Sequence, residues 1–280
     1  MTLAKTLAIT PLSDALGAEV TGIDMREPVD KADVARMEQA LTERLVLVIR
    51  DQKFSPDQYL AALRLFGNTM HQHLTGLLMK DHPEIAVLDS RRTKTAPDGV
   101  YAPIGSRDWH TDHTNHARPP KITALYAVKL PKSGGDTGFA NMQRAYDSLP
   151  AEERDALGKL KTVSKIEDRE YVSAEDRTRY GVPQTHPLIR THPVSRKKAI
   201  YVHPGKLARI EGMEPEESLD YVNGLLDRVI TPDVTYRHKW QAGDMLLCDN
   251  RAVLHIAHRD YDPAEGRVMH RVLLEGDVPY

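Results

Sequence analysis

Eight short β-rich runs from Glu84 onward constrain this chain more than any other feature: EIAVLD, ITALYAVKL, PLIRTH, AIYVHP, VTYRHKW, DMLLCD, AVLHIA and RVMHRVLL. Gly, Pro, Asp and Asn punctuate them, and no helix-length period alternates with them. Helical spacing is confined to three places. Asp30 can cap a helix whose apolar positions are Val34, Met37, Leu41 and Leu45, and the run LVLVIR follows it directly. Ser55-Pro56-Asp57-Gln58 reads as a capping box with proline at the first helical position, ahead of Leu60, Leu63, Phe66 and a terminating Gly67. A third helix is expected over Pro215–Val229, with Leu219, Val222, Leu226 and Val229 inward. VSRKK, between THP and AIYV, reads as a hairpin turn. The fold class that follows is mainly β with helical decorations, an antiparallel sandwich or barrel core and not a βαβ chain.

At 280 residues this is long for one domain, yet β sandwiches and barrels with insertions reach this size, so a single domain over residues 1–280 is expected. Interspersed charges and a net charge of −2 leave no basic face for nucleic acid or anionic lipid. The one cysteine, Cys248, excludes an internal disulfide and any multi-cysteine metal site. Lys5 and Pro11 interrupt the mildly apolar N-terminus, and no apolar run reaches the roughly 18 residues of a membrane span. A soluble cytoplasmic protein is the expectation.

The chemistry concentrates in WHTDHTNH, Trp109–His116. In an extended segment residues two apart share a face, so His110 and Asp112 can converge on one ion while His113 points away. In a helix the favoured pair is His113 and His116, but Asp108, Thr111 and Pro119-Pro120 favour the extended form. A third ligand is expected in CDNRAVLHIAH, where His255 ends the strand-like AVLH and His258 is the competing choice. Two histidines and a carboxylate on one side of an ion leave the opposite positions open, as in non-haem Fe(II) oxygenases. Reduction of O2 at such an iron needs an electron source, which a bound 2-oxo acid supplies by oxidative decarboxylation. Its far carboxylate needs an anchor, and in RVMHR the guanidinium groups of Arg267 and Arg271 share one strand face. Two cations in one cavity would require two anionic ligands; the plainer alternative for both is surface ion pairing.

WHTD, GGDTGF at Gly134–Phe139, THPVSRKKAIYV, WQAGDMLLCDNRAVLH and RVMHR, in this order, resemble the Fe(II)- and 2-oxoglutarate-dependent taurine dioxygenase and dichlorophenoxyacetate dioxygenase family. The likeness starts at ITPLSDALGAEVTGID and runs nearly to the C-terminus. It implies a double-stranded β-helix, a jelly-roll type. His110, Asp112 and His255 would be iron ligands. Thr137 would donate its hydroxyl to 2-oxoglutarate, Arg267 would hold the distal carboxylate, and Arg271 would bind the anionic group of the primary substrate. The implied reaction consumes O2, releases succinate and CO2, and hydroxylates a C–H bond of a small sulfonate or carboxylate. Retention of Asp112 favours hydroxylation over the halogenation of relatives that lack this carboxylate. A homodimer or homotetramer is implied as well.

On the substrate side the sequence departs from the taurine enzymes. His73 matches a substrate-contacting histidine, but Gly76 replaces a tyrosine and Ser106 an asparagine. His113, Asn115 and His116 stand where relatives carry apolar or aromatic residues, and Lys206 stands where the taurine enzymes place an aromatic wall. Together these changes predict a wider, more polar pocket, with Lys206 or His113 assisting binding. Two other classes remain open: a zinc-dependent hydrolase, because HTDH resembles part of clustered His/Asp motifs, and a non-catalytic β-helix that binds a small acid. The hydrolase reading leaves GGDT and RVMHR unexplained.

Overall fold

The computed structural model describes residues 6–72, 75–92, 94–95, 101–102, 108–166 and 174–280. Its frame is an eight-stranded sheet, ordered along the sheet Ala8–Pro11, Ala18–Thr21, Val46–Ile49, Met245–Asp249, Ile122–Lys129, Val268–Leu274, His82–Asp89 and Leu78–Met79. All neighbours are antiparallel except the second and third strands. The central strands are buried on both faces, which is why their sequences read as continuous apolar runs. Leu47, Ile49, Met245, Leu247, Ala124 and Tyr126 face one cluster with Met37, Leu41, Tyr59 and Leu63 of the first two helices. Val46, Val48, Leu246 and Cys248 face the other, which contains Phe139, Leu254, Ala199 and Ile200.

That second cluster lies between the large sheet and a three-stranded one, Thr235–His238, Thr137–Asn141 and Val253–Ala257, with Thr137–Asn141 in the middle. Two packed sheets, antiparallel but for that one pair, with helices outside match the expected jelly-roll core. The VSRKK hairpin is present, pairing Ile189–Thr191 with Lys198–Ile200.

The three expected helices span Lys31–Arg44, Pro56–Arg64 and Pro215–Val229. Ser55 and Gln58 form the full capping box, whereas the Asp30 side chain makes no cap hydrogen bond. Leu45 turns the chain from the first helix into the next strand with a left-handed φ of 64°, its side chain wholly buried. One inward assignment is corrected: Leu219 is 40% exposed and Leu225 is buried in its place. The helix presents the 218–222–225–229 stripe to the core, so the residue next to Ser218 rotates out to solvent. No helix among the described residues is long and apolar enough to cross a membrane.

Candidate active site

Backbone pairing brings His110 and His255 together. They form an isolated antiparallel bridge that exchanges both hydrogen bonds, His110 N to His255 O at 3.1 Å and His255 N to His110 O at 2.8 Å. Residues opposed in this way project side by side, and the two rings lie 4.2 Å apart. Only His110 of WHTDHTNH is extended. The chain then enters a turn at Asp112, with His113 in the left-handed region at φ 56°. His110 and Asp112 do converge as expected, but through a turn and not along one strand face.

Asn250 builds that turn. Its Oδ1 accepts from Asp112 N at 2.7 Å and Thr111 Oγ1 at 2.8 Å, and its Nδ2 donates to the carbonyl oxygens of Asp112 at 3.1 Å and Pro120 at 3.0 Å. Because Asn250 stands at the turn leading into the His255 strand, one buried amide fixes the spacing of two sequence-distant motifs. Thr123, on an inner face of the large sheet, donates to Asp112 Oδ2 at 2.7 Å. Asp112 Oδ1 lies 3.8 Å from His110 Nε2 and 3.7 Å from Arg271 Nη1, while Oδ2 lies 3.8 Å from His255 Nε2.

One donor atom from each of His110, Asp112 and His255 lies within 4.8 Å of the other two. The donor set fits a hard-to-borderline divalent ion such as Fe(II). His110 Nδ1–H donates to the Asp108 carbonyl at 2.8 Å, which leaves the Nε2 lone pair for a metal. Burial, opposed by Asp112, lowers the His110 pKa. Burial and the neighbouring His110 push His255 down to about 3. Burial alone would raise Asp112, but Arg271 and the two histidines outweigh it and hold the carboxyl below its ordinary range. The three groups are thus in ligand-ready protonation states at neutral pH. His203, unread in the sequence, packs its ring 4.7 Å from that of His110 and is likewise held neutral by burial.

Thr137 sits on the face of the middle strand that carries Phe139, opposite His255. Its Oγ1 accepts from Trp240 Nε1 at 3.0 Å and lies 3.5 Å from Arg267 Nη2. Arg267 Nε donates to the Gly135 carbonyl at 2.8 Å, and burial lowers the Arg267 pKa, the mark of a cation short of anionic partners. The GGDT glycines are sterically required: Gly134 and Gly135 have φ near 72° and 73°, and a Cβ on Gly134 would meet the Asp260 carbonyl oxygen at 2.3 Å. Arg267 lies just ahead of the strand Val268–Leu274, not within it, whereas Arg271 is inside it. Arg271 Nε donates to Gln72 Oε1 at 3.2 Å, and its buried Nη2 has no hydrogen-bond partner among the described residues.

On the other flank Lys206 is buried in a turn after His203, and its charge acts on His110, His116 and His203. His113 and His116 are buried and meet edge to face at 5.0 Å. The His116 ring stacks on Tyr180 at 4.3 Å, and its carbonyl faces His186 Nε2 at 2.9 Å. His73 and Ser106 lie outside the described residues. Asn250, Thr123, Trp240 and Tyr180 were not read as site residues. Asn250 and Trp240 had a signal, since both fall inside the WQAGDMLLCDNRAVLH motif; Thr123 and Tyr180 had none.

Residues 8–273 match the family described as Taurine catabolism dioxygenase TauD, TfdA family. The chain belongs to this family. It is 32% identical over 294 residues to pentalenolactone F synthase of Streptomyces arenae, covering 98% of this chain and 97% of the relative. It is also 32% identical over 291 residues to an alpha-ketoglutarate-dependent sulfate ester dioxygenase of Pseudomonas putida, covering 99% and 92%. A crystal structure of a taurine dioxygenase from Burkholderia xenovorans superposes with a TM-score of 0.80 at 30% identity, covering 98% of this chain and 90% of that one. The chain is accordingly an Fe(II)- and 2-oxoglutarate-dependent dioxygenase that uses O2, and neither the hydrolase nor the silent-binder alternative finds support among its relatives.

Proposed function

We propose that His110, Asp112 and His255 hold the iron, that Thr137 and Arg267 hold 2-oxoglutarate, and that the primary substrate is a small organic anion docked on Arg271. The observation that carries the substrate assignment is the Arg271 guanidinium, largely enclosed beside Asp112 with a buried Nη2 that has no hydrogen-bond partner among the described residues. A buried cation with spare donors favours an anionic partner. The sulfate ester dioxygenase and the taurine dioxygenase among the relatives are named for substrates that carry an anionic sulfate or sulfonate group, which supports the same reading.

Held by His110, Asp112 and His255, Fe(II) would supply the redox chemistry by which O2 and 2-oxoglutarate, released as succinate and CO2, hydroxylate a substrate C–H bond. The chain's own residues set the geometry. Asp108 and Asn250 orient His110 and Asp112, and Thr123 donates a hydrogen bond to Asp112 Oδ2. Gln72, wholly buried, fixes the Arg271 side chain through Nε while donating to the Glu84 and Arg271 carbonyls. The anion is thereby placed next to the iron ligands. Lys206 or His113 is assigned to help bind its polar groups, and His73 and Ser106, outside the described residues, are assigned to substrate binding on the family resemblance alone.

Anaerobic addition of Fe(II) and 2-oxoglutarate is expected to give a weak visible charge-transfer band that disappears in His110→Ala and His255→Ala. No band in the intact protein, with iron demonstrably bound, would sink the assignment. A panel of sulfonates, sulfate esters, aryloxy acids and amino acids is then scored by succinate release above the uncoupled rate. Arg271→Ala should keep the band and lose the substrate-stimulated release; unchanged stimulation would remove the anion-docking role.

A further inference from the structure

We propose that Trp240 is a positioning residue that turns the Thr137 hydroxyl into an obligate donor toward 2-oxoglutarate; this rests on the co-substrate role given to Thr137 above. A threonine hydroxyl carries one hydrogen and two lone pairs, so its direction is set by what its neighbours can do. Trp240 Nε1–H, 3.0 Å away, can only donate. Arg267 Nη2, 3.5 Å away, can only donate too. Among the described residues Thr137 Oγ1 accepts from these groups and donates to none. Asp136, the nearest carboxylate in sequence, is engaged by Arg237 Nε at 2.8 Å. With its acceptor side occupied, the hydroxyl hydrogen is left for an incoming group that has lone pairs and no hydrogen, which describes a carboxylate.

The indole is held for this task from behind. Its ring meets His238 edge to face at 4.6 Å, and the Arg267 guanidinium lies 6.0 Å from it on another side. His238 Nε2 is 3.0 Å from Asp244 Oδ2, an oxygen that also accepts from Gln241 N at 2.8 Å and Arg50 Nη1 at 2.7 Å. His238 and Asp244 are fully buried. The WQAGD motif therefore builds a braced indole whose N–H addresses one oxygen atom. A plain packing role would account for the ring but not for where its single donor points. Nor is the indole needed only as a wall of the open cavity of about 530 Å³ that Lys132, Arg237 and Lys239 line beside it, because phenylalanine would serve there as well.

The test is a double-mutant cycle on equilibrium affinity for 2-oxoglutarate, measured by calorimetry on Mn(II)-loaded protein, with thermal midpoints of the unliganded variants alongside. Trp240→Phe keeps an aromatic ring and removes the donor; the expected loss is about fivefold, the effect of one net hydrogen bond. Thr137→Val should weaken binding at least as much, and adding W240F to T137V should weaken it no further. In Thr137→Ser, which retains the hydroxyl, W240F should again cost about fivefold. A packing role would lower the thermal midpoint and the affinity in every background alike. Unchanged affinity in W240F, or losses that multiply fully in the T137V background, overturn the proposal. Unchanged affinity in T137V alone overturns the co-substrate role of Thr137 first, and this inference with it.

Discussion

His255 and Thr137 stand on paired strands of the small sheet, whereas His113 and His116 stand on a turn, where the His116 ring stacks on Tyr180 at the end of the short helix Ala174–Tyr180. On the first flank four of the site side chains have a hydrogen-bond partner of defined geometry: Asp108 for His110, Thr123 for Asp112, Trp240 for Thr137, Gly135 for Arg267. On the second, the His113, His116 and Tyr180 rings pack on one another and the buried charge of Lys206 acts on His116. Rigid strands supply a fixed arrangement for the shared chemistry, while the turn and short helix can change identity without moving it. The sequence shows the same division, since it keeps the family motifs on one flank and departs from the taurine enzymes on the other.

The contrast is sharpest at Arg267. Arg267→Ala removes a buried cation that the fold has not neutralised, and a buried charge pair with the co-substrate is worth about 2–5 kcal/mol when truncated. The KM for 2-oxoglutarate should rise by at least roughly thirtyfold, with the KM for the primary substrate little changed. If the two constants move together, the flanks are not separable. Asn250→Ala comes next, because its amide ties the turn carrying Asp112 to the strand carrying His255. Outer-shell partners of this kind change metal affinity by about 10–100-fold, so competition with a chelator should show a loss in that range at nearly unchanged secondary structure. A loss under twofold would mean that the ligands are held without it. Lys206→Phe acts on the other flank. It should raise the KM of the true substrate about tenfold, one desolvated charged hydrogen bond, while uncoupled 2-oxoglutarate consumption persists; unaltered substrate kinetics would dismiss the polar-pocket reading.

The same division explains what could be read in advance. Capping at Ser55, the Pro215–Val229 period and the apolar runs at Ile122–Lys129 and Met245–Asp249 are local signals, and each produced the expected element. The strands Ala8–Pro11, at the sheet edge, and Ala18–Thr21, next to it, are four residues long, too short for a period to register. HxD and AVLH point to His110, Asp112 and His255, but the device that joins them is a backbone bridge plus the Asn250 amide, and strand periodicity implies neither. Thr123 reaches Asp112 only because antiparallel register sets Leu273 opposite Thr123 and Arg271 opposite Leu125 on one inner face. Register is a tertiary property, so Thr123 carries no local mark. Arg267 and Arg271 were legible through their spacing, although only Arg271 lies within the strand.

The smallest effect concerns protons on the substrate flank. Burial, reinforced by the charges of Lys206, His71 and Arg179, lowers His116 to about 3. In the unfolded chain this group titrates near its ordinary value of about 6.5. Between those two values the unfolded state binds a proton that the folded state does not, so stability is complete above about pH 6.5 and falls as the pH drops toward 3. For one such group the loss from pH 7 to pH 6 is about 0.7 kcal/mol. His255, His110 and His203 are depressed in the same direction, so the metal-free protein should be markedly acid-labile. His116→Gln is expected to remove only its own share, flattening the dependence of urea midpoints on pH in the 7-to-5 range whatever its absolute stability. A slope identical to that of the unsubstituted protein would mean that His116 is protonated in place, and the turn would then be a charged surface instead of the neutral stacked wall that it forms with Tyr180.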